Sequence, residues 1–242
     1  MTILLAQRKY HLAARLTKTT AKTFGLAFVA LFLIVAVAEE IVTVVNGFAW
    51  EISWALLSWG IPITMVASAW THLSRSYPAA ITNGMTRKET LNGFALFGAV
   101  TVLVGAVFTH AAVVLLDFGP FTETVYPIGF YGLSLLESVV RPALYFGVGA
   151  AAAAMMHRMP SRALGAVLSG LLVVATVYRV QVIGPVLDAL GPQSSSISEM
   201  PDRSEIVLRT STFGWIDVAL AAILVLLTVT LLAKAPMRPK EI

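Results

Sequence analysis

The chain contains no cysteine, which excludes disulfides, thiolate metal sites and cysteine nucleophiles. Charge is almost as scarce. Asp, Glu, Lys and Arg make up 12% of the 242 residues against 57% hydrophobic, whereas a soluble domain carries roughly 25% charged and 45–50% apolar residues. With a mean hydropathy of +0.82, too little polar surface is left to keep a globular chain wet, so an ordinary soluble enzyme is excluded. Several signatures of chemistry are missing too. No Gly-x-x-x-x-Gly-Lys-Ser/Thr loop occurs, so the chain does not cradle ATP in that manner. The four histidines, His11, His72, His110 and His157, form no His-Glu-x-x-His pattern, and no Gly-x-Ser-x-Gly elbow is present, which demotes a membrane hydrolase. No catalytic, cofactor-binding or metal-ligating residue is assigned. The net charge of +4 contains no long like-charge run, so nucleic acid is not an expected partner.

What is present is long apolar runs. About 20 mainly apolar residues cross about 30 Å of hydrocarbon at roughly 1.5 Å per residue. Six stretches reach that length: 24–46, 52–70, 92–116, 134–156, 163–183 and 215–233. The sequence therefore predicts an all-α integral membrane protein, one transmembrane domain over 1–242, with six spans. The basic residues test this count, because short cytoplasmic loops collect Lys and Arg. With the N-terminus inside, the cytoplasmic segments hold Arg8, Lys9, Arg15, Lys18, Lys22, Arg75, Arg87, Lys88, Arg158, Arg162, Lys234, Arg238 and Lys240, leaving Arg141, Arg179, Arg203 and Arg209 outside. One span more or fewer would scramble this separation, so both termini are expected in the cytoplasm.

Residues 3–22 place Leu5, Leu12 and Leu16 on one helical stripe and Arg8, Arg15, Lys18 and Lys22 on another face. This predicts an amphipathic, interfacial elbow helix, with its leucines in the acyl boundary and its basic face on anionic headgroups.

The loop 71–91 carries the most specific local signals. Pro78 suits the first turn of a helix and Gly84 its left-handed stop, predicting a short cytoplasmic helix over Pro78–Asn83 between spans two and three. Thr86 and Glu89 then form a Thr-x-x-Glu capping box, so span three should begin near Arg87. Helices on both sides of one glycine corner make a stiff bracket, which suits a part pushed by a partner. The plain alternative is a well-capped turn.

Ionisable residues inside a span are functional candidates by default. Glu39 and Glu40 lie about 22 Å along the first span, counted from Phe24 at about 1.5 Å per residue. Two readings fit them: one carboxylate lines an outward-facing substrate pathway, or both snorkel to the interface. His110 reads as an interior histidine and Asp217 as interfacial. Gly147, Gly149 and Ala150–Ala154 give span four a small-residue surface for close helix packing. The outer segments 117–133 and 184–214 exceed usual loop lengths, yet the longer is too short to hold a core of its own.

This combination of elbow, six spans, short inner helix and longer outer segment before span six resembles the six-helix permease subunits of ABC exporters, the type 2 class. Its sharpest local part is Tyr77-Pro78-Ala79-Ala80-Ile81-Thr82-Asn83-Gly84-Met85-Thr86-Arg87-Lys88, which is similar to an aromatic-small-small, Gly-x-Thr/Ser-Arg segment of small bacterial permeases. The resemblance implies a bacterial plasma-membrane export permease that moves a substrate such as an antimicrobial peptide, a drug or a lipid. It implies a second permease copy or homologue and separate ATP-binding subunits that carry ATP and Mg, this chain itself holding no cofactor. It also implies that Tyr77, Pro78, Ala80, Ile81, Gly84, Met85 and Arg87 form the ATPase-docking surface. Glu39 and Glu40 have no counterpart in that pattern. The competing expectations are a proton- or ion-coupled secondary carrier and a non-transporting membrane scaffold.

Overall fold

The computed structural model describes residues 2–46, 52–117, 135–179 and 203–233. Helix α1 (Thr2–Thr20) passes through a π-helical stretch, Ala21–Gly25, into α2 (Leu26–Asn46). Helix α3 (Ile52–Ala55) passes through a second such stretch, Leu56–Gly60, into α4 (Ile61–Thr82). Then come α5 (Arg87–Asp117), α6 (Leu135–Arg158), α7 (Arg162–Val177) and α8 (Arg203–Ala233). Among the described residues there is no strand.

Four helical stretches are long and apolar enough to cross a membrane, Gln7–Val45, Arg87–Ala112, Ser138–Arg158 and Gly214–Ala233, and they mark the chain as a membrane protein. They coincide with the first, third, fourth and sixth expected spans. The second and fifth expected spans are helical but fall outside this set. Helix α7 is 16 residues long, about 24 Å at roughly 1.5 Å per residue, and the second interleaves Ser53, Ser58, Pro62 and Ser68 with its apolar residues.

Helix α6 sits at the centre, packed along α4 and α8 and touching α5 and α7. Its small residues are the cause, because only a side chain of one carbon or none lets neighbouring backbones come this close. A Cβ on Gly149 would strike the Val66 carbonyl oxygen of α4 and lie 3.0 Å from Ala69 Cβ, and one on Gly147 would lie 3.2 Å from Leu224 Cβ of α8. Ala151–Ala154 are fully enclosed. Beside them Phe94 and Phe97 of α5 meet Phe146 of α6, with ring centroids 5.6 Å apart in each case, and Gly98 makes room for that ring. One face of α2, with Leu26, Ile34, Val44 and Val45, points outward, as a lipid-facing helix requires, while Phe32 is buried in the core.

Two expectations are corrected. The elbow is not a separate helix: the backbone stays helical from α1 into α2, and α1 lies along α5. Gly93 permits this, since a Cβ there would be 3.0 Å from the Lys9 carbonyl and 3.1 Å from Leu12 Cδ2. Ala13 and Leu16 are consequently buried in protein rather than in lipid, while Arg8, Arg15, Lys18 and Lys22 remain exposed. The side chain of Leu5 lies outside the described residues.

The short helix expected over Pro78–Asn83 is the last turn of α4, with Pro78 inside the helix. Proline there forfeits its own N–H bond and crowds the carbonyl four residues back, and the buried Tyr77 and Ala80 on either side hold the turn in place. Helix α8 begins at Arg203, so the last part of the segment 184–214, whose structure the sequence leaves open, is helical. Residues 118–134 and 180–202, which contain the rest of the two expected outer segments, lie outside the described residues, as do Lys234, Arg238 and Lys240.

Candidate functional site

The α4–α5 turn is assembled from local signals. Gly84 is the one residue with a positive φ among those described, at +78°. Its N–H donates to the Ile81 carbonyl at 3.0 Å and the N–H of Met85 donates to the Ala80 carbonyl at 3.0 Å. This paired geometry satisfies two carbonyls that the helix end would otherwise leave bare. Two residues later the capping box closes: the Thr86 N–H donates to Glu89 Oε2 at 2.9 Å and the Glu89 N–H donates to Thr86 Oγ1 at 3.2 Å. The bonds from the Thr86 backbone and hydroxyl, with Arg8 and Lys9 of α1 nearby, hold the Glu89 carboxyl below its usual range against a smaller opposing effect of desolvation. Helix α5 starts at Arg87, where the capping box predicts it.

The resemblance-derived docking residues divide into two groups. Tyr77 is buried, and its hydroxyl donates to the Leu232 carbonyl at 3.0 Å. Arg87 Nη1 donates to the Ala233 carbonyl at 2.7 Å. Both therefore serve the C-terminal end of α8, where the last carbonyls lack intrahelical donors and the partial negative charge of the helix end favours a cation. Burial raises the Tyr77 phenol above its ordinary value, with Arg87 opposing, so it stays a donor. Ala80 is buried as well. Pro78 and Gly84 are exposed, and Ile81 and Met85 are half-buried; these four form the outward surface of the turn.

Helix α1 is tied to α4 nearby, through a 2.7 Å hydrogen bond between Thr20 Oγ1 and His72 Nε2. His72 lies two residues past the expected end of span two, and burial, with Arg75 adding, lowers its pKa below the ordinary value.

Glu39 and Glu40 do not act as a unit. Glu39 is 5% exposed, and its Oε1 accepts the Ser53 N–H at 2.9 Å. It thus caps the first turn of α3 from another helix, satisfying an orphan donor where negative charge is favoured. Glu40 Oε2 is buried without a hydrogen-bond partner. His110 is exposed on α5 rather than interior.

A cluster that sequence reasoning missed lies near the middle of α8. Arg179 Nε and Nη2 donate to Asp217 Oδ1 and Oδ2, each at 2.7 Å, and Nη1 donates to the Tyr145 hydroxyl at 3.1 Å and the Thr176 carbonyl at 2.9 Å. The guanidinium carbon also lies 5.4 Å from the Tyr145 ring centroid. One side chain so joins α6, α7 and α8. Asp217 is buried within the protein. The available signal was an Arg and an Asp in apolar surroundings, which ordinarily survive burial only as a pair.

Comparison of the chain with family models, curated proteins and solved structures yields no match.

Proposed function

We propose that the chain is the permease subunit of an ATP-driven exporter of the six-helix ABC class, crossing a bacterial plasma membrane six times with both termini in the cytoplasm. ATP and Mg would be held by separate ATP-binding subunits, and a second permease copy or homologue would complete the pathway. The observation that carries this reading is the α4–α5 turn. It is capped on both sides, presents Pro78, Ile81, Gly84 and Met85 outward, and is joined from behind by Tyr77 and Arg87 to the end of α8. A push on such a corner moves three helices at once, which a flexible loop would not do. The cargo reading, a peptide, drug or lipid, rests on the resemblance alone.

Gentle solubilisation of the tagged chain tests the proposal, with stoichiometric recovery of an ATP-binding subunit as the expected outcome. A lone chain that drives proton-dependent flux would sink it. Replacing Gly84 by valine should reduce coupled ATPase turnover while membrane insertion persists.

A second reading, a proton- or ion-coupled carrier, is favoured by one observation, the unpartnered buried oxygen of Glu40. Under either reading Glu40 is better placed than Glu39 to meet a cationic part of a cargo, because the Glu39 carboxylate is committed to Ser53. Glu40→Gln should therefore change transport of cationic substrates and leave the fold intact, whereas Glu39→Gln should loosen the α2–α3 junction.

A further inference from the structure

Helices α4 and α7 both pack on α6 without packing closely on each other. Their inner edges are pinned to the small-residue face of α6, α4 by the Val66–Gly149 backbone contact and α7 by a 2.9 Å hydrogen bond from Ser169 Oγ to the Ala152 carbonyl. Farther along, larger side chains on α6, Tyr145 and Val148, hold the two helices apart, and a cavity of about 240 Å³ opens between them. It extends along α4 from Trp59 to Trp70, roughly 16 Å at about 1.5 Å per residue. Trp59 and Ile63 at its mouth are 57% and 63% exposed, so it opens sideways, toward the same surroundings as the outward-facing valines and leucines of α7.

The lining fixes the chemistry of an occupant. None of the residues that line the cavity is charged; the polar side-chain groups among them are the indole N–H of Trp59 and Trp70, the Tyr145 hydroxyl, which accepts from Arg179 at 3.1 Å, and the Thr176 hydroxyl, which donates to the Leu172 carbonyl at 2.9 Å. A charged group entering here would lose its hydration with no opposite charge on the walls to replace it. Size narrows the choice further. A helix about 10 Å across would displace roughly 1,200 Å³ over the same length, so the groove does not enclose a transmembrane helix of a second copy. The volume also lies below the roughly 300–1,000 Å³ of sites that enclose drug-sized ligands.

We infer that this groove is a binding site for one hydrocarbon chain of a membrane phospholipid, entering from the bilayer between α4 and α7. The bound chain fills the gap that the two helices leave beside Tyr145, and so supports the wall on which the Arg179 cluster rests. This inference is independent of the exporter reading, because lipid occupancy needs neither ATP nor a partner subunit.

The test uses the purified full chain in detergent, supplied with phosphatidylcholine carrying a dibrominated acyl chain and then washed. Native mass spectrometry should find one brominated lipid retained, and tryptophan fluorescence should be quenched. Ala67→Phe and Val177→Phe fill the groove from opposite walls and should each lower retention at least fivefold. Ala222→Phe, on an exposed position of α8, should leave it unchanged. Equal retention by all four proteins overturns the inference, as does equal loss in the α8 control. Because a filled groove can misfold, Trp70→Phe gives a second measure in an otherwise unaltered chain. It should remove the most strongly quenched part of the emission, and unchanged quenching overturns the inference even if both filling variants fail to fold. The chain lacks cysteine, so Ile63→Cys reports on the remaining occupant. A disulfide between two copies through that residue would place a second chain over the groove and overturn the lipid assignment.

Discussion

At its C-terminal end α8 is held by two single hydrogen bonds to backbone carbonyls, from Tyr77 and Arg87. Roughly 24 Å away along the helix, at about 1.5 Å per residue, Asp217 is gripped by two parallel charge-assisted bonds from a buried arginine. The first anchor satisfies carbonyls that any nearby donor, or water, can satisfy. The second joins opposite charges that have no alternative partner once buried, and its fork geometry fixes orientation as well as distance. A disturbance applied to the bundle should therefore free the turn end of α8 long before the stretch around Asp217. That asymmetry suits a helix that pivots about Asp217 when the α4–α5 turn is pushed.

The comparison is broken most severely at the ion pair. Asp217→Asn leaves the Arg179 charge buried with a weaker partner, and removing one member of a buried pair costs about 3–5 kcal/mol. A large fall in the melting temperature of the detergent-solubilised protein is expected. Replacing the pair together, by Arg179→Met with Asp217→Leu, should recover most of that loss, because the cost lies in the unpaired charge. If the single and double variants melt alike, the pair is not what holds this stretch.

Next in size is Gly84→Val. Nothing lies within 4 Å of the position a Cβ would take, so the whole effect is conformational. A left-handed backbone costs a residue with a Cβ roughly 1–2 kcal/mol, read as a modest fall in melting temperature. Gly84→Asn should lose less, since asparagine tolerates this region better. Tyr77→Phe is smaller again, at about 1 kcal/mol for one hydrogen bond. It should raise amide exchange in the last turn of α8 and leave residues 214–220 unchanged. Equal exchange at both anchors would remove the asymmetry on which the pivot rests.

How far each anchor was legible in the sequence follows from chain separation. Gly84, Thr86 and Glu89 act on backbone groups within four residues of themselves, and their spacing alone predicts the corner and the start of α5. Tyr77 and Arg87 stand in the same segment, but the carbonyls they serve come from the other end of the chain, so their place was visible and their role was not. Arg179 and Asp217 are 38 positions apart, and no periodic pattern links an arginine after one helix to an aspartate on the next. The same limit hid the Glu39–Ser53 cap. Hydropathy gave the apolar helices, and the small-residue run Gly147–Ala154 correctly marked a packing surface. It misplaced the leucines of α1, because a stripe that fits lipid fits the groove beside Gly93 equally well.

The smallest effect separates the two anchors by pH. The turn end includes His72, bonded to Thr20 of α1, and the Arg179 cluster contains no histidine. Burial and Arg75 lower the His72 pKa from an ordinary 6.5, so the folded chain binds a proton at this site less readily than the unfolded chain does. The associated stability is complete above about pH 6.5 and is lost as the pH falls toward the lowered folded value. Between pH 7.5 and 5, amide exchange in residues 7–20 should rise while exchange in residues 214–224 stays constant. His72→Gln, which is always neutral, should abolish the rise. A rise that persists in that variant would move the pH sensitivity to another group and leave the Thr20–His72 bond as a pH-independent tie between α1 and α4.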